Sequence, residues 1–279
     1  MKLGVAMFFT DYSMTPQELA VAAEQRGFDS VWSPEHSHIP LSRKSAFPSG
    51  GDLPKKYYDA MDPFVALMAA AAATKTIKVG TGVCLVAQRD PIQTAKSVAS
   101  IDQLSDGRFL FGIGNGWNRD EMENHGTKFE TRHKLARERV EAMKVIWSQS
   151  KPEYHGEMVN FDPMMTWPKP VQKPHPPIWV GGAFPYGARR AIRYGDGWMP
   201  HRARPNYPNV RDFLPEFRKL AAEAKRDIPV TIWGAKDTDM LKADRDTNVV
   251  RVIISLESAK ADAILPELDR WAKAAQSVA

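Results

Sequence analysis

Residues 176–200 read PPIWVGGAFPYGARRAIRYGDGWMP, and this pattern of elements decides the fold. The apolar residues 178–180 predict a short buried strand, a helix is predicted around residues 189–193, and residues 197–199 predict the next strand. Gly181, Gly182 and Ala183 connect the first strand to the helix. They either form a tight turn, which glycine adopts readily, or let an anion approach the unpaired N–H groups of the helix N-terminus.

The same unit of a strand and a helix recurs along the whole chain. Apolar runs predict eight strands, at residues 3–9, 28–33, 77–83, 109–113, 178–180, 197–199, 230–233 and 249–253. Helix signals follow, such as Thr15-Pro16-Gln17-Glu18, which has the residues of a capping box. Apolar strands without alternation are typical of a parallel sheet that is covered on both faces.

Eight such units in about 250 residues indicate an α/β protein with a (β/α)8 barrel, or TIM barrel, and a doubly wound open sheet is the alternative. We expect residues 1–279 to form a single domain, because no linker-like segment interrupts the pattern. Residues 151–177 contain seven prolines and directly precede the fifth strand. They are therefore expected to be an insertion in the barrel.

The composition excludes several classes of protein. Hydrophobic residues make up 43% and charged residues 25% of the 279 residues, as in ordinary globular proteins. The net charge of +5 is not concentrated in a basic run, so no nucleic-acid partner is expected. The longest apolar-rich run, residues 64–73, is too short to span a membrane. Cys84 is the single cysteine, which excludes an internal disulfide and favours a cytoplasmic location.

In a barrel of this kind the chemistry lies where strands end and helices begin. Glu35 and His36 follow the second strand, and an adjacent carboxylate and imidazole can handle protons or hold a polar edge of a cofactor. An exposed polar loop is the simpler interpretation. His38 lies nearby, but these residues lack partners at a recognisable metal-ligand spacing, so no metal site is predicted.

Glycines follow the third and fourth strands. Thr81, Gly82 and Val83 either admit a flat ligand to the backbone or form a bulge at the barrel rim. Residues 112–117, GIGNGW, depart from the dinucleotide fingerprint at their sixth position and follow the wrong strand. They are interpreted as a rim that admits a ligand, in which Asn115 offers an amide. Because the chain has no nucleophile motif, chemistry by a bound redox cofactor is favoured.

Four segments together resemble the luciferase-like monooxygenase superfamily, the flavin- or coenzyme F420-dependent barrel enzymes related to bacterial luciferase. They are RGFDSVWSPEH (26–36), KVGTGVCLVAQRDP (78–91), LSDGRFLFGIGNGW (104–117) and PPIWVGG…RRAIRYGDGWMP (176–182 and 189–200). The resemblance covers roughly two thirds of the chain. The loop HSHIPLSRKSAFPSGG (36–51), with the Asp-Pro pair at 62–63, is most similar to the F420-dependent branch, and FMN is the alternative cofactor.

The resemblance implies roles for residues near the cofactor ring. Members of the family have a non-prolyl cis peptide at the end of the third strand that supports the ring, and the matching bond here joins Gly82 to Val83, directly after Thr81. Glu35 and His36 match an acid–histidine pair near the reactive face of the ring. His36 is the candidate proton donor or ring-positioning group.

The resemblance also implies where the rest of the cofactor lies. Gly114 and Asn115 would line its ribityl side. Gly181, Gly182 and Ala183 would bind its phosphate through backbone N–H groups, which favours the anion interpretation of this segment. Barrels in general bind phosphate after strands seven and eight, so this assignment after strand five depends on the family resemblance.

The implied function is that of an oxidoreductase that exchanges hydride between F420 and a small organic molecule, which the sequence does not identify. With FMN, an oxygen-using monooxygenase is the alternative. A barrel that binds a flavin without catalysis is a second alternative. The family also implies a homodimer.

Overall fold

The computed structural model describes residues 1–202 and 207–277. Within these residues, eight parallel strands form the barrel: β1 (Lys2–Ala6), β2 (Ser30–Ser33), β3 (Lys78–Thr81), β4 (Phe109–Gly114), β5 (Ile178–Gly181), β6 (Gly197–Met199), β7 (Thr231–Trp233) and β8 (Arg251–Ser255). In the sheet they follow the order β7–β8–β1–β2–β3–β4–β5–β6. Parallel bridges from Trp198 to Val230 and from His201 to Trp233 link β6 to β7 and nearly close the barrel. The predicted (β/α)8 barrel is confirmed.

Helices in the described part of the chain alternate with these strands. They are α1 (Pro16–Gln25), α2 (Pro63–Ala72), α3 (Pro91–Leu104), α4 (Arg119–Asn124), α5 (Arg132–Ser148), α6 (Tyr186–Tyr194), α7 (Leu214–Glu223), α8 (Thr238–Asp246) and α9 (Ala261–Ser277). The predicted capping box begins α1, since the Glu18 N–H donates to the Thr15 hydroxyl and the Thr15 N–H donates to the Glu18 carboxylate at 2.9 Å. The Asp62 and Asp90 side chains cap α2 and α3 by accepting backbone N–H groups of the first turn, and a proline occupies the first helical position of each.

The predicted insertion before the fifth strand is present between α5 and β5. A small antiparallel hairpin, Tyr154–His155 with Asn160–Phe161, is its only regular structure within residues 151–177. The sequence did not predict this hairpin. The short strand Cys84–Leu85, which pairs with the end of β4, was also not predicted.

Two of the strands end earlier than the apolar runs that predict them. The predicted first strand extends to residue 9, whereas β1 ends at Ala6, and the following Met7 and Phe8 line a cleft at the end of the barrel. The predicted third strand extends to residue 83, whereas β3 ends at Thr81. Of the apolar residues beyond these strands, Phe8 and Val83 line this cleft, whereas Phe9 is buried in the core.

Tryptophan and glycine alternate in the interior of the barrel. Trp32 on β2 lies in register with Gly80 on β3, and a Cβ at position 80 would lie 2.6 Å from the Trp32 ring. Trp179 on β5 has the same relation to Gly197 on β6. Large side chains therefore fill the space that the missing side chains of the neighbouring strand leave open.

Candidate active site

The carboxyl ends of the strands enclose a cleft with two lobes. The larger lobe has a volume of about 560 Å³ and is lined by Gly114 and Arg190 among others. The smaller lobe has a volume of about 310 Å³ and is lined by His36 and Tyr57 among others. Residues 82 and 83 are among the six described residues that line both lobes, and we call the peptide between them the floor of the cleft. This is the end of the barrel at which enzymes of this fold carry their active sites.

The floor of the cleft is the peptide bond between Gly82 and Val83, which is cis. This is the bond that the sequence matched to the family. Trp233 supports it from inside the barrel, because a Cβ at position 82 would clash with the Trp233 ring. Thr81 is fully buried below the floor, and its hydroxyl donates to the Gly112 carbonyl at 2.6 Å. Its side chain therefore joins β3 to β4 and does not line either lobe.

The glycine loop after β5 forms one wall of the larger lobe. Gly181, Gly182 and Ala183 all line it. Gly182 has a φ of +118°, which side-chain-bearing residues rarely adopt, and its carbonyl accepts a hydrogen bond of 2.9 Å from the Trp198 indole. The loop leads into α6, whose N-terminus follows directly. The backbone therefore presents a helix N-terminus toward the lobe, as an anion site requires.

Two arginines beside this loop give the larger lobe a positive charge. Arg190 lies so close to Gly182 that a Cβ there would be 2.9 Å from its Nη2 atom, and its Nε atom is buried without a partner among the described residues. Arg132, at the start of α5, also has a buried Nε atom without a described partner. Burial lowers the pKa of both guanidinium groups, and the charge of the nearby Arg190 lowers the pKa of Arg132 further. No carboxylate is among the described residues that line this lobe, so the positive charge of the two arginines suits an anionic ligand.

The rim of the larger lobe carries an amide and an imidazole. Asn115 Nδ2 lies 2.6 Å from His133 Nδ1, and both residues line the lobe together with Gly114. Burial, followed by the charges of Arg132 and Arg190, lowers the pKa of His133 to about 4. His133 is therefore neutral at pH 7, and its Nδ1 atom accepts the amide proton. Gly114 is packed against Val83, since a Cβ at position 114 would clash with the Val83 side chain.

Glu35 and His36 both line the smaller lobe, but they have separate partners. The Glu35 carboxylate forms an ion pair with Arg89 and accepts the Leu85 N–H at 2.6 Å. Burial, opposed by Arg89, raises the pKa of Glu35. Glu35 thus connects the loop after β2 to the segment after β3 that carries the floor of the cleft.

His36 is held by a different carboxylate. Its Nδ1 atom lies 2.7 Å from Glu121 Oε2 on α4, and both side chains are buried, with 5% and 1% exposed. An ionised carboxylate only accepts hydrogen bonds, so the proton of this contact is on Nδ1. The ring is enclosed by Tyr57 and Trp117, whose ring centroids lie 5.4 and 5.7 Å away. Nε2 is therefore the nitrogen that can exchange a proton with a ligand in the smaller lobe.

A comparison with known protein families shows where the chain belongs. The model of the luciferase-like monooxygenase family matches residues 14–236. The chain belongs to this family. The match includes the glycine loop after β5, the cis peptide at the floor of the cleft, and the loop that carries His36.

This luciferase-like protein has relatives of known and unknown activity. An uncharacterized protein of Mycobacterium tuberculosis is 38% identical over 98% of both chains. An F420-dependent hydroxymycolic acid dehydrogenase of the same species is 30% identical over 76% of this chain and 55% of its own. An FMNH2-dependent dimethylsulfone monooxygenase of Pseudomonas putida is 33% identical over 46% of this chain and 36% of its own.

Solved structures agree with the barrel of the luciferase-like family. A monooxygenase from Streptomyces bottropensis covers 99% of both chains with a TM-score of 0.80 and 20% identity. An F420-dependent secondary alcohol dehydrogenase covers 100% of this chain and 99% of its own, with a TM-score of 0.75 and 20% identity. At these identities the likeness concerns the fold.

Several residues at the luciferase-like site were not predicted. Arg190 lies one turn after Gly187, so helical spacing could have placed it beside the glycine loop. Arg132 and Glu121 come from other helices, and their positions depend on how these helices pack against the strand ends. Within the described residues, no three His, Cys, Asp or Glu side chains converge as metal ligands would. In the same residues, no helix has the length and apolar character to cross a bilayer.

Proposed function

We propose that this protein is a coenzyme F420-dependent oxidoreductase that exchanges hydride with a small organic substrate. The observation that carries the proposal is the arrangement of the cleft. Unpaired arginine donors lie beside a glycine loop in the larger lobe, and a buried histidine faces the smaller lobe. A phosphate-bearing planar cofactor would span both lobes over the floor that they share.

The residues of the larger lobe fit such a cofactor. Gly181, Gly182 and Ala183 would bind its phosphate through backbone N–H groups, with Arg132 and Arg190 supplying charge-assisted hydrogen bonds. The two guanidinium groups would attract the phosphate, because no carboxylate is among the described residues that line this lobe. The fit applies equally to F420 and to FMN, since both carry a phosphate.

The remaining predicted residues would position the ring. Gly114 and Asn115 would lie along the ribityl chain, and residues 82 and 83 would lie beneath the ring. Thr81 would act indirectly, because its hydroxyl fixes the backbone of β4 at Gly112. When bound, a deazaflavin supplies a carbon centre that accepts or donates hydride.

The residues of the smaller lobe would handle the proton that accompanies hydride transfer. His36 would exchange a proton with the substrate oxygen through Nε2, while Glu121 fixes the ring through Nδ1. Glu35 would position this loop through Arg89. Both His36 and Glu35 line the lobe, which favours an enzyme over a barrel that only binds a flavin.

F420 is proposed in preference to FMN because of the relatives. The F420-dependent relative matches 76% of this chain, whereas the FMNH2-dependent relative matches 46%. With FMN the same cleft would serve an oxygen-using monooxygenase. The family resemblance supports a homodimer, and the single cysteine supports a cytoplasmic location. Size-exclusion chromatography with light scattering tests the dimer.

Separate titrations of the purified protein with F420 and with FMN, followed by fluorescence, test the cofactor. Tight binding of F420 with weak binding of FMN is expected. Tight binding of FMN alone would replace the proposal with the monooxygenase. Binding of neither would contradict both.

A further inference from the structure

A chain of hydrogen-bonding groups runs from His36 to the surface. It begins with the contact of 2.7 Å between His36 Nδ1 and Glu121 Oε2. The other oxygen of the same carboxylate, Oε1, accepts the Ser37 N–H at 3.2 Å and lies 3.5 Å from the Ser37 hydroxyl. The buried carboxylate therefore touches the active-site imidazole with one oxygen and a surface serine with the other.

Two histidines flank the Ser37 hydroxyl on its outer side. Its oxygen lies 2.7 Å from His125 Nε2 and 2.9 Å from His38 Nδ1. The Asn124 amide lies 2.9 Å from His38 Nε2 and donates to it, so the proton of a neutral His38 is on Nδ1 and is donated to Ser37. The serine proton then remains available for His125 or for Glu121.

The surroundings of His125 suit a group that accepts this proton. Burial lowers the pKa of His125, and the positive charges of Arg89 and Arg139 act in the same direction, against Glu121. A neutral His125 presents Nε2 as an acceptor to the serine hydroxyl. The side chain is exposed, so water reaches the ring directly.

We propose that Glu121, Ser37 and His125 form a proton relay between His36 and solvent, an inference that rests on the proposed role of His36. In the direction of alcohol oxidation, the substrate O–H bond breaks and a bond from its proton to Nε2 forms. The Nδ1 proton moves to Glu121 Oε2, and the carboxyl group then turns toward Ser37. Glu121 gives a proton to the Ser37 hydroxyl as the hydroxyl gives its own proton to His125 Nε2, and His125 releases its Nδ1 proton to solvent. The substrate carbon that bears the oxygen loses hydride, for which the deazaflavin of the proposed function would be the acceptor. In the opposite direction every proton step reverses.

The relay would give the His36 proton a path to water when the cleft is occupied. A cofactor over the floor of the cleft and a substrate in the smaller lobe would separate Nε2 from water, and both His36 and Glu121 are buried. The Ser37 side is then the remaining route for the proton. These three residues act through His36 and are positioning residues in the sense that none of them touches the substrate.

The test measures how fast the His36 Nδ1 proton exchanges with water, by NMR of the full chain labelled with 15N-histidine. Ser37→Val removes the hydroxyl, whereas Ser37→Thr introduces a side chain of the same shape as valine and keeps the hydroxyl. We expect exchange to slow at least about tenfold in Ser37→Val and in His125→Phe. Ser37→Thr and a control at the exposed His155, His155→Ala, are expected to exchange at the wild-type rate.

Wild-type exchange in both Ser37→Val and His125→Phe would overturn the relay. Equal slowing in Ser37→Thr would also overturn it, because it would assign the effect to loop packing. F420 titrations of the same variants separate this result from the proposed function. Binding of F420 is expected to be unchanged in all of them. If the wild-type protein binds no F420, the proposed function fails, while the exchange rates still decide on the relay.

Discussion

Replacing Arg190 with methionine should have opposite effects on cofactor binding and on the stability of the free protein. In the free protein the guanidinium is partly buried beside Gly182, and its Nε atom has no partner among the described residues. Burial lowers its pKa, which means that the folded protein disfavours the charge. Methionine keeps most of the apolar stem and removes the charge.

The size of the effect on binding follows from the exposure of the site. Truncation of one partner of a buried charge pair costs about 2–5 kcal/mol. Arg190 lies at an open lobe and is only partly buried, so the lower limit applies. A loss of about 2 kcal/mol corresponds to a dissociation constant about 30-fold higher. In the free protein, removal of an unpaired charge should raise the free energy of unfolding by about 1 kcal/mol.

The assay compares ligands with and without phosphate. Fluorescence titration with F420 and with its phosphate-free deazaflavin core, or with FMN and riboflavin, measures the share of binding that the phosphate provides. Arg190→Met should weaken only the phosphate-bearing ligand. Arg193→Met is the matched control, because Arg193 lies one turn further along α6 and is exposed. Urea denaturation of both variants measures the change in the free energy of unfolding.

Two results would refute this reasoning. Equal weakening of both ligands in Arg190→Met would mean that the arginine contacts the ring or only maintains the lobe. If Arg190→Met has a lower free energy of unfolding than Arg193→Met, Arg190 stabilises the fold. A structural role would then account for Arg190 without a bound ligand.

Three further changes test other parts of the site and fold. Gly182→Leu should weaken F420 binding more than about 10-fold and lower the free energy of unfolding by about 1–2 kcal/mol, because φ is +118° and the new side chain displaces Arg190. The control Gly126→Ala, at a φ of +75° with no neighbour within 4 Å, should lower the stability without affecting binding. Intact F420 binding in Gly182→Leu would exclude the phosphate assignment. His36→Ala should lower single-turnover hydride transfer about 100-fold or more with little change in the F420 dissociation constant, and equal losses in stopped-flow rate and affinity would make His36 a binding contact only. Burial alone would raise the pKa of Glu24, but N–H groups of Ile77 and Thr76 hydrogen-bond its carboxylate and lower the pKa from 4.5 to about 2. The stability advantage of the wild type over Glu24→Gln should therefore be complete above pH 4.5 and disappear as the pH falls to about 2, and urea midpoints with a constant gap over this range would contradict it.

The barrel was predictable because its signals are local. A capping box at Thr15 and Asp-Pro pairs at two later helices fix where helices begin, and each needs only residues within one turn. The ends of strands were harder to predict. Phe8 is as apolar as the strand before it but lines the cleft, and periodicity cannot separate a residue that lines a cleft from one inside the core.

The site was predictable only in part, since its pairings join distant residues. The sequence placed Glu35 and His36 together as a pair, yet the partner of His36 is Glu121, 85 residues away, and the partner of Glu35 is Arg89. Glycines also proved ambiguous. Gly82 and Gly114 have no room for a side chain because Trp233 and Val83 occupy the space, so a bound ligand is not needed to explain them.

The interlocked tryptophans and glycines restrict how the interior of the barrel can evolve. Alanine at Gly80 would drive its methyl carbon into Trp32, 2.6 Å away, whereas a smaller residue at Trp32 would first leave a void that costs about 3–5 kcal/mol. Either substitution alone destabilises the protein, so evolution must pass through a destabilised intermediate or acquire both substitutions together. Directed evolution that varies one position at a time will therefore reshape the walls of the cleft and leave this interior layer unchanged.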